Sequence, residues 1–183
     1  MESKQKVCPV EQAGHLESSL RKFLQDPNKI LAPHLKPGMT MLDLGCGPGY
    51  FSIEAAKILG NKGKLIAADL QDGMLDKVWK KIRGTELEDR IKLHKCKPNS
   101  MDLNEKVDFA LGFFMVHEVP DKRKLFLELK SILKPGAKML IVEPKFHVSA
   151  KEYAKMLDYI FAAGLSIDNR KDSLLTRSLI IKN

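Results

Sequence analysis

A chain that runs from an extended apolar segment through three alternating glycines straight into a helical pattern has few folds open to it. Residues 39–50 read Met-Thr-Met-Leu-Asp-Leu-Gly-Cys-Gly-Pro-Gly-Tyr. Beyond them Phe51, Ala55, Ile58 and Leu59 recur on one helical face, with Glu54 and Lys57 outside it. The reading is strand, tight turn, helix. Glycine admits positive φ and lets a ligand come close to the main chain. The helix start beyond it offers N–H donors and a partial positive charge. Such a turn suits an anionic group on a nucleoside-like cofactor.

The dinucleotide fingerprint is G-x-G-x-x-G. Here Gly45, Gly47 and Gly49 give G-x-G-x-G, and Tyr50 stands where the last glycine would be. That departure disfavours a nicotinamide or flavin cofactor. The segment from Leu42 to Gly49, with its acid Asp43 and its Pro48, instead closely resembles motif I of the class I S-adenosylmethionine-dependent methyltransferases. The resemblance implies that Gly45, Cys46, Gly47 and Gly49 cradle the methionine end of S-adenosylmethionine, with Asp43 orienting the loop. Cys46 is either an inert small residue with a useful N–H or a nucleophile.

The periodicity beyond the loop extends the reading. Strands are expected over about Met39–Leu44, Lys64–Ala68, Arg90–Lys95, Val107–Leu111 and Lys138–Val142, with two more over Leu165–Asn169 and Leu174–Ile181. Between them lie a helix from about Gly49 to Leu59 and one that Asp72 can cap, with Met74, Leu75, Val78, Trp79 and Ile82 inward. A third begins near Asp121, buries Leu125, Phe126, Leu129, Ile132 and Leu133, and stops at Pro135-Gly136. Ser149 and Glu152 form a capping-box signature before a helix that turns Tyr153, Met156, Leu157, Ile160 and Phe161 inward. Alternating strands and helices imply a doubly wound parallel sheet. The last two strands lack a helix between them and should pair antiparallel.

The expected fold is therefore α/β: a seven-stranded, Rossmann-like methyltransferase sheet, mostly parallel, with a C-terminal antiparallel hairpin. Residues 1–183 read as a single domain, with 38–183 the catalytic core and 1–37 a helical N-terminal extension. In that extension Glu11–Gln25 has helical spacing, and Asp26-Pro27 opens a short second helix through Leu31. The family resemblance, which covers about Met39 to Asn183, implies that such an extension covers the active site and helps choose substrate.

Ligands of open α/β sheets sit at the carboxyl ends of the strands. After the second strand Asp69 matches the family's ribose-binding acid, since a carboxylate accepts two hydroxyls. Leu70 and Met74 follow it to pack on the adenine, though Met74 at helical spacing also suits the core. After the third strand the family places an acid or amide that reads the adenine. This chain has Cys96 there, leaving Asn99, Asp102 or a backbone carbonyl as substitutes. After the fourth strand Phe113 and Phe114 are apolar where cofactor and methyl acceptor meet in the family. The loop lacks the Asn/Asp-Pro-Pro-aromatic motif of base amino methylases. His117 is the candidate catalytic base, its ordinary pKa being near neutrality; the other reading is a histidine bonded to backbone at a helix start. Glu143 and His147 are expected to face the same cleft as His117 and Glu118. Their spacing fits no metal-ligand signature, so no metal is assigned.

The sequence carries a net charge of +8. Its basic residues are scattered, with Lys80-Lys81, Lys92-Lys95-Lys97 and Lys122-Arg123-Lys124 on different elements and few aromatics among them. They read as solvated faces, and nucleic acid is not favoured as a partner. Three widely spaced cysteines fit a reducing cytoplasm, and no run approaches the ~20 apolar residues of a membrane span. The expected activity is methyl transfer from S-adenosylmethionine to a small-molecule acceptor, leaving S-adenosylhomocysteine. The alternatives are an RNA or protein methyltransferase and a non-catalytic cofactor-binding protein.

Overall fold

The computed structural model describes residues 26–183, so the helix expected over Glu11–Gln25 lies outside the described residues. Asp26 caps α1 (Pro27–Leu31), its carboxylate accepting the Asn28 N–H at 3.0 Å, and Pro27 takes the first helical position, where no N–H is needed. The chain divides into two compact units, one ending at Cys96 and the other continuing over Lys97–Asn183.

The first unit holds β1 (Thr40–Leu44), α2 (Tyr50–Leu59), β2 (Lys64–Asp69), α3 (Asp72–Ile82) and β3 (Ile91–Lys95). The strands are parallel, Met41 standing opposite Leu65 and Leu65 opposite Ile91. Met41, Leu42, Leu65 and Ile66 are almost fully buried, as expected of parallel strands covered on both faces. Two expectations for α3 change. Its N-cap is Gln71, and Asp72 lies in the first turn, ion-paired to Lys95 at 2.6 Å. Trp79 flanks a stripe that Met74, Leu75, Val78 and Ile82 already fill, and is 38% exposed.

The second unit holds β4 (Val107–Phe113), a 3-10 turn (Val116–Glu118), α4 (Lys122–Ile132), β5 (Leu133–Pro144), α5 (Ala150–Ala162), β6 (Ser166–Asp172) and β7 (Thr176–Lys182). Here β4 and β5 are parallel, while β7 pairs antiparallel with β5 and with β6. The seven-stranded, mostly parallel sheet thus has strand order β3-β2-β1 in the first unit and β4-β5-β7-β6 in the second. The C-terminal hairpin is antiparallel, as the missing helix between its strands requires.

Asp121 caps α4 and both halves of the Ser149–Glu152 capping box form at α5. Leu133 belongs to β5, which starts directly after α4 and runs through Pro135-Gly136. The register slips there, between Val107 and Phe109 on β4. The backbone of Asn183 bonds both sides of this bulge, accepting from Gly136 and donating to Ala137 O at 3.0 Å each, which is how the strand tolerates its proline. In α5 the buried stripe is Tyr153, Met156 and Ile160. Phe161, about 100° around the helix from Ile160, is 56% exposed rather than inward. Leu174 and Leu175 lie in the β6–β7 turn, not in the last strand. Among the described residues no helix is long and apolar enough to cross a membrane.

Candidate functional site

β1 delivers Asp43 and Leu44 into the glycine loop. The N–H groups of Gly45 and Cys46 donate to Ala68 O at 2.8 and 3.0 Å, so the end of β2 anchors the start of the loop. Gly45, Gly47 and Gly49 have φ of 68, 54 and 85°, a conformation that costs other residues about 1–2 kcal/mol each. Gly49 is also the N-cap of α2, and a Cβ there would stand 3.0 Å from Cγ2 of Val78 on α3. The loop is therefore bare main chain pressed against a neighbouring helix, and no side chain caps α2. Asp43, 2% exposed, accepts from Ser52 Oγ at 2.5 Å and so braces β1 to α2.

Asp69 closes the loop from below. Its Oδ2 accepts the Gly47 N–H at 2.9 Å and its Oδ1 the Gln71 N–H at 2.8 Å. Burial raises its pKa, opposed by the backbone hydrogen bonds from Gln71, Gly47 and Leu70 and by the charge of Lys95. A carboxylate offers about four acceptor sites, so these backbone donors do not exhaust it. The Cys96 N–H donates to Asp69 O at 2.9 Å. Leu70 is half-buried beside Asp69, and Met74 is 1% exposed, a core residue. Burial first, then the charges of Asp43, Asp69 and Cys96, push the Cys46 thiol well up, which keeps it protonated and a poor nucleophile. Asp43, Gly45, Cys46, Gly47, Gly49, Asp69, Leu70, Met74 and Cys96 all belong to the unit ending at Cys96. Sequence reasoning missed Lys81, whose Nζ donates to Pro48 O at 2.6 Å. It was counted among solvated lysines, and only its place one turn beyond Val78 hints at the loop.

In the unit Lys97–Asn183, β4 ends in a tightly packed corner. A Cβ on Gly112 would meet Met139 Cε at 2.8 Å. Phe113 is 8% exposed and its ring lies 4.5 Å from that of Phe114. Phe114 has φ of 57°, rare for an aromatic residue, and its N–H is held by Val142 O at 2.8 Å. The 3-10 turn then presents His117. Its Nδ1 lies 2.5 Å from Oε2 of Glu143, which is 1% exposed at the end of β5. Lys122 Nζ donates to His117 O and Val119 O at 3.3 and 2.9 Å, fixing the turn.

Burial lowers the His117 pKa, but the hydrogen bond and charge of Glu143, with the charge of Glu118, carry it above its ordinary value against Lys122. Burial in turn lowers Lys122, with Glu143 and Glu152 opposing. Glu143 Oε1 is buried and has no hydrogen-bond partner. This pair can orient an imidazole: with Nδ1–H donated to Glu143, Nε2 is the nitrogen left to accept a proton.

The ring of His147 lies 5.5 Å from that of His117, so of the four residues expected to share a cleft, His117 neighbours both Glu143 and His147. Of the two readings of His117, neither foresaw that its ring would bond a carboxylate on β5. Asn99 is exposed, and exposed Asp102 pairs with Lys97 at 2.8 Å. Among the described residues no group of three or more His, Cys, Asp and Glu side chains is placed to hold a metal ion.

Comparison with known proteins adds to this geometry. The family described as "Methyltransferase domain" matches residues 35–172. A demethylmenaquinone methyltransferase of Lactobacillus johnsonii is 31% identical over 147 residues, covering 75% of this chain and 59% of that protein. The ubiquinone/menaquinone biosynthesis C-methyltransferase UbiE of Vibrio vulnificus is 31% identical over 124 residues, covering 64% of this chain and 47% of its own. The chain thus spans about half the length of the curated relatives it matches. The crystal structure of a SAM dependent methyltransferase from Aquifex aeolicus superposes with a TM-score of 0.85 at 27% identity, covering 96% of this chain and 99% of that one.

Proposed function

The chain belongs to the methyltransferase domain family, and from that premise we propose that it transfers the methyl group of S-adenosylmethionine to a small-molecule acceptor, leaving S-adenosylhomocysteine. The observation that carries the cofactor assignment is the three-glycine loop, left-handed at Gly45, Gly47 and Gly49 and fastened to the Asp69 carboxylate through the Gly47 N–H. Such a cradle suits the cofactor because it presents main chain without side chains, and at Gly49 a Cβ would crowd Val78 at 3.0 Å.

The residue roles follow the strand ends. The main chain of Gly45, Cys46, Gly47 and Gly49 surrounds the methionine end, and Asp43 keeps that loop on α2. Asp69 accepts the ribose hydroxyls with the capacity its backbone donors leave. Leu70 and Cys96 form the adenine side, with Met74 behind them in the core, and Phe113 is the apolar residue that ends β4. A bound S-adenosylmethionine contributes an electrophilic sulfonium methyl. The protein's own task is alignment and exclusion of water, and alignment is worth roughly 7–11 kcal/mol. An acceptor that must shed a proton gives it to His117 Nε2, while Glu143 holds Nδ1–H and steadies the imidazolium.

The relatives named for ubiquinone, menaquinone and demethylmenaquinone make a quinone-type ring the first acceptor class to offer. The cysteines described, Cys46 and Cys96, are buried thiols and support a reducing compartment, the cytoplasm. The match over residues 35–172 supports treating residues 38–183 as one catalytic core. Calorimetric titration with S-adenosylmethionine, S-adenosylhomocysteine and NADH tests the proposal. Heat from the first two and none from NADH is expected; binding of NADH alone overturns it.

A further inference from the structure

Three large apolar side chains stand together on the unit Lys97–Asn183. Leu174 and Leu175, 90% and 57% exposed, occupy the turn between β6 and β7, and Phe146, 71% exposed, follows β5. The Lys145 N–H donates to Leu175 O at 2.9 Å, which sets the Phe146 segment beside that turn. The turn is not loose. The Ser173 N–H donates to Thr176 O at 2.8 Å, and Ser173 Oγ accepts the N–H groups of Leu175 and Thr176 at 3.3 and 3.0 Å. Lys145 Nζ ties the other side, donating to Ser173 O at 2.6 Å. The leucines are thus held outward by a hydrogen-bonded frame while gaining little cover from their own chain.

The rim of this tip is basic. Residues 145–147 and 170–177 contain Lys145, Arg170, Lys171 and Arg177 against Asp172 alone, four cations to one carboxylate. Both arginines are steadied against the Tyr153 ring, their guanidinium carbons 5.4 and 5.3 Å from its centre. A second copy of the chain would bring the same cations against these, so self-association is opposed by charge. An apolar tip on a convex turn, ringed by lysine and arginine, matches instead a surface with negative headgroups over an apolar interior.

We propose that Phe146, Leu174 and Leu175 dock this protein peripherally on a lipid surface bearing anionic headgroups. The three apolar side chains enter the boundary between headgroups and acyl chains, while Lys145, Arg170, Lys171 and Arg177 remain at headgroup level, their stems along the apolar layer. The proposal goes beyond methyl transfer and does not depend on it.

The test is co-sedimentation of the full chain with vesicles of phosphatidylcholine alone and of phosphatidylcholine mixed with phosphatidylglycerol. The chain should bind the mixed vesicles, bind the neutral ones less, and bind the mixed ones less as salt rises. Leu174→Asp with Leu175→Asp should weaken partition by about tenfold or more, and Lys171→Glu should weaken it to a smaller degree. Circular dichroism and S-adenosylhomocysteine titration of each variant report whether its fold survives. No binding by the parent chain overturns the proposal, as does undiminished binding by both folded variants. Concentration-dependent dimerisation that the leucine variant abolishes, without vesicle binding, assigns the tip to a second copy and overturns it too.

Discussion

The imidazole of His117 and the buried carboxylate of Glu143 meet at 2.5 Å, Nδ1 to Oε2, although 26 residues of chain separate them. If that contact sets which ring nitrogen takes the proton, removing either member slows the chemical step and leaves the glycine loop alone. His117→Ala is expected to lower kcat by about a hundredfold or more. Glu143→Gln should lower it less, and the double variant little further than His117→Ala, because the two act as one device. S-adenosylhomocysteine affinity, read by calorimetry, should stay unchanged throughout. Unaltered turnover in His117→Ala makes the pair structural.

The same contact predicts a pH dependence. A base acts in its neutral form, and the His117 pKa stands above its ordinary value, so kcat should rise with pH through an inflection above about 6.5. Removing the negative charge with Glu143→Gln should move that inflection down. Stability runs the other way. A histidine raised on folding contributes stability fully below its unfolded value, near about 6.5, and loses it as pH climbs through the folded value. Urea midpoints of the parent chain and His117→Ala should therefore differ most at the acidic end.

Asp69 holds the backbone N–H groups of Gly47 and Gln71 and carries the proposed ribose contact. Asp69→Ala is expected to weaken S-adenosylmethionine and S-adenosylhomocysteine by about tenfold or more, the range of charge-assisted hydrogen bonds. Unchanged affinity in calorimetry would remove the ribose assignment. Because burial raises its pKa, the ionised carboxylate is a cost to the fold that is absent below its unfolded value and grows as pH rises through the folded one. Asp69→Asn should accordingly lose ligand affinity with a smaller fall in urea midpoint than Asp69→Ala.

Gly49 is constrained twice, by φ of 85° and by Val78 at 3.0 Å from where a Cβ would be. Gly49→Ala should cost about 1–3 kcal/mol in urea unfolding and weaken cofactor binding as the loop shifts. Adding Val78→Ala should return only the steric part, since the backbone strain stays. Full rescue by Val78→Ala would mean that the left-handed conformation is not what the loop requires.

What could be read in the chain was what is local in it. The loop from Gly45 to Gly49 is legible because strand, turn and helix signals adjoin, and the hairpin because no helix separates its strands. The capping box at Ser149 and the cap at Asp26 are likewise short-range chemistry. Distance across the chain hid the rest. Nothing near His117 singles out Glu143 over Glu118 as its ring's partner, and only its place one turn beyond Val78 marks Lys81 for the loop that holds Pro48. Helix faces were legible to within one side chain: Phe161 and Trp79 each sit beside a stripe that other residues fill. Pro135-Gly136 reads as a stop, yet β5 passes through it because Asn183, at the far end of the sequence, satisfies the bulged backbone.

Among the described residues strand β6 pairs with β7 alone, and nearly all its side chains are exposed, Asp168, Arg170, Lys171 and Asp172 among them. At the other end of the strand order, β3 exposes Lys92 and Lys95. An unpaired strand edge is a template for a strand from another molecule, and closely spaced charges along it make such stacking unfavourable. Both open edges are thereby guarded against the ladder growth that precedes fibrils and inclusion bodies, leaving side-chain surfaces rather than backbone to govern which molecules this chain joins.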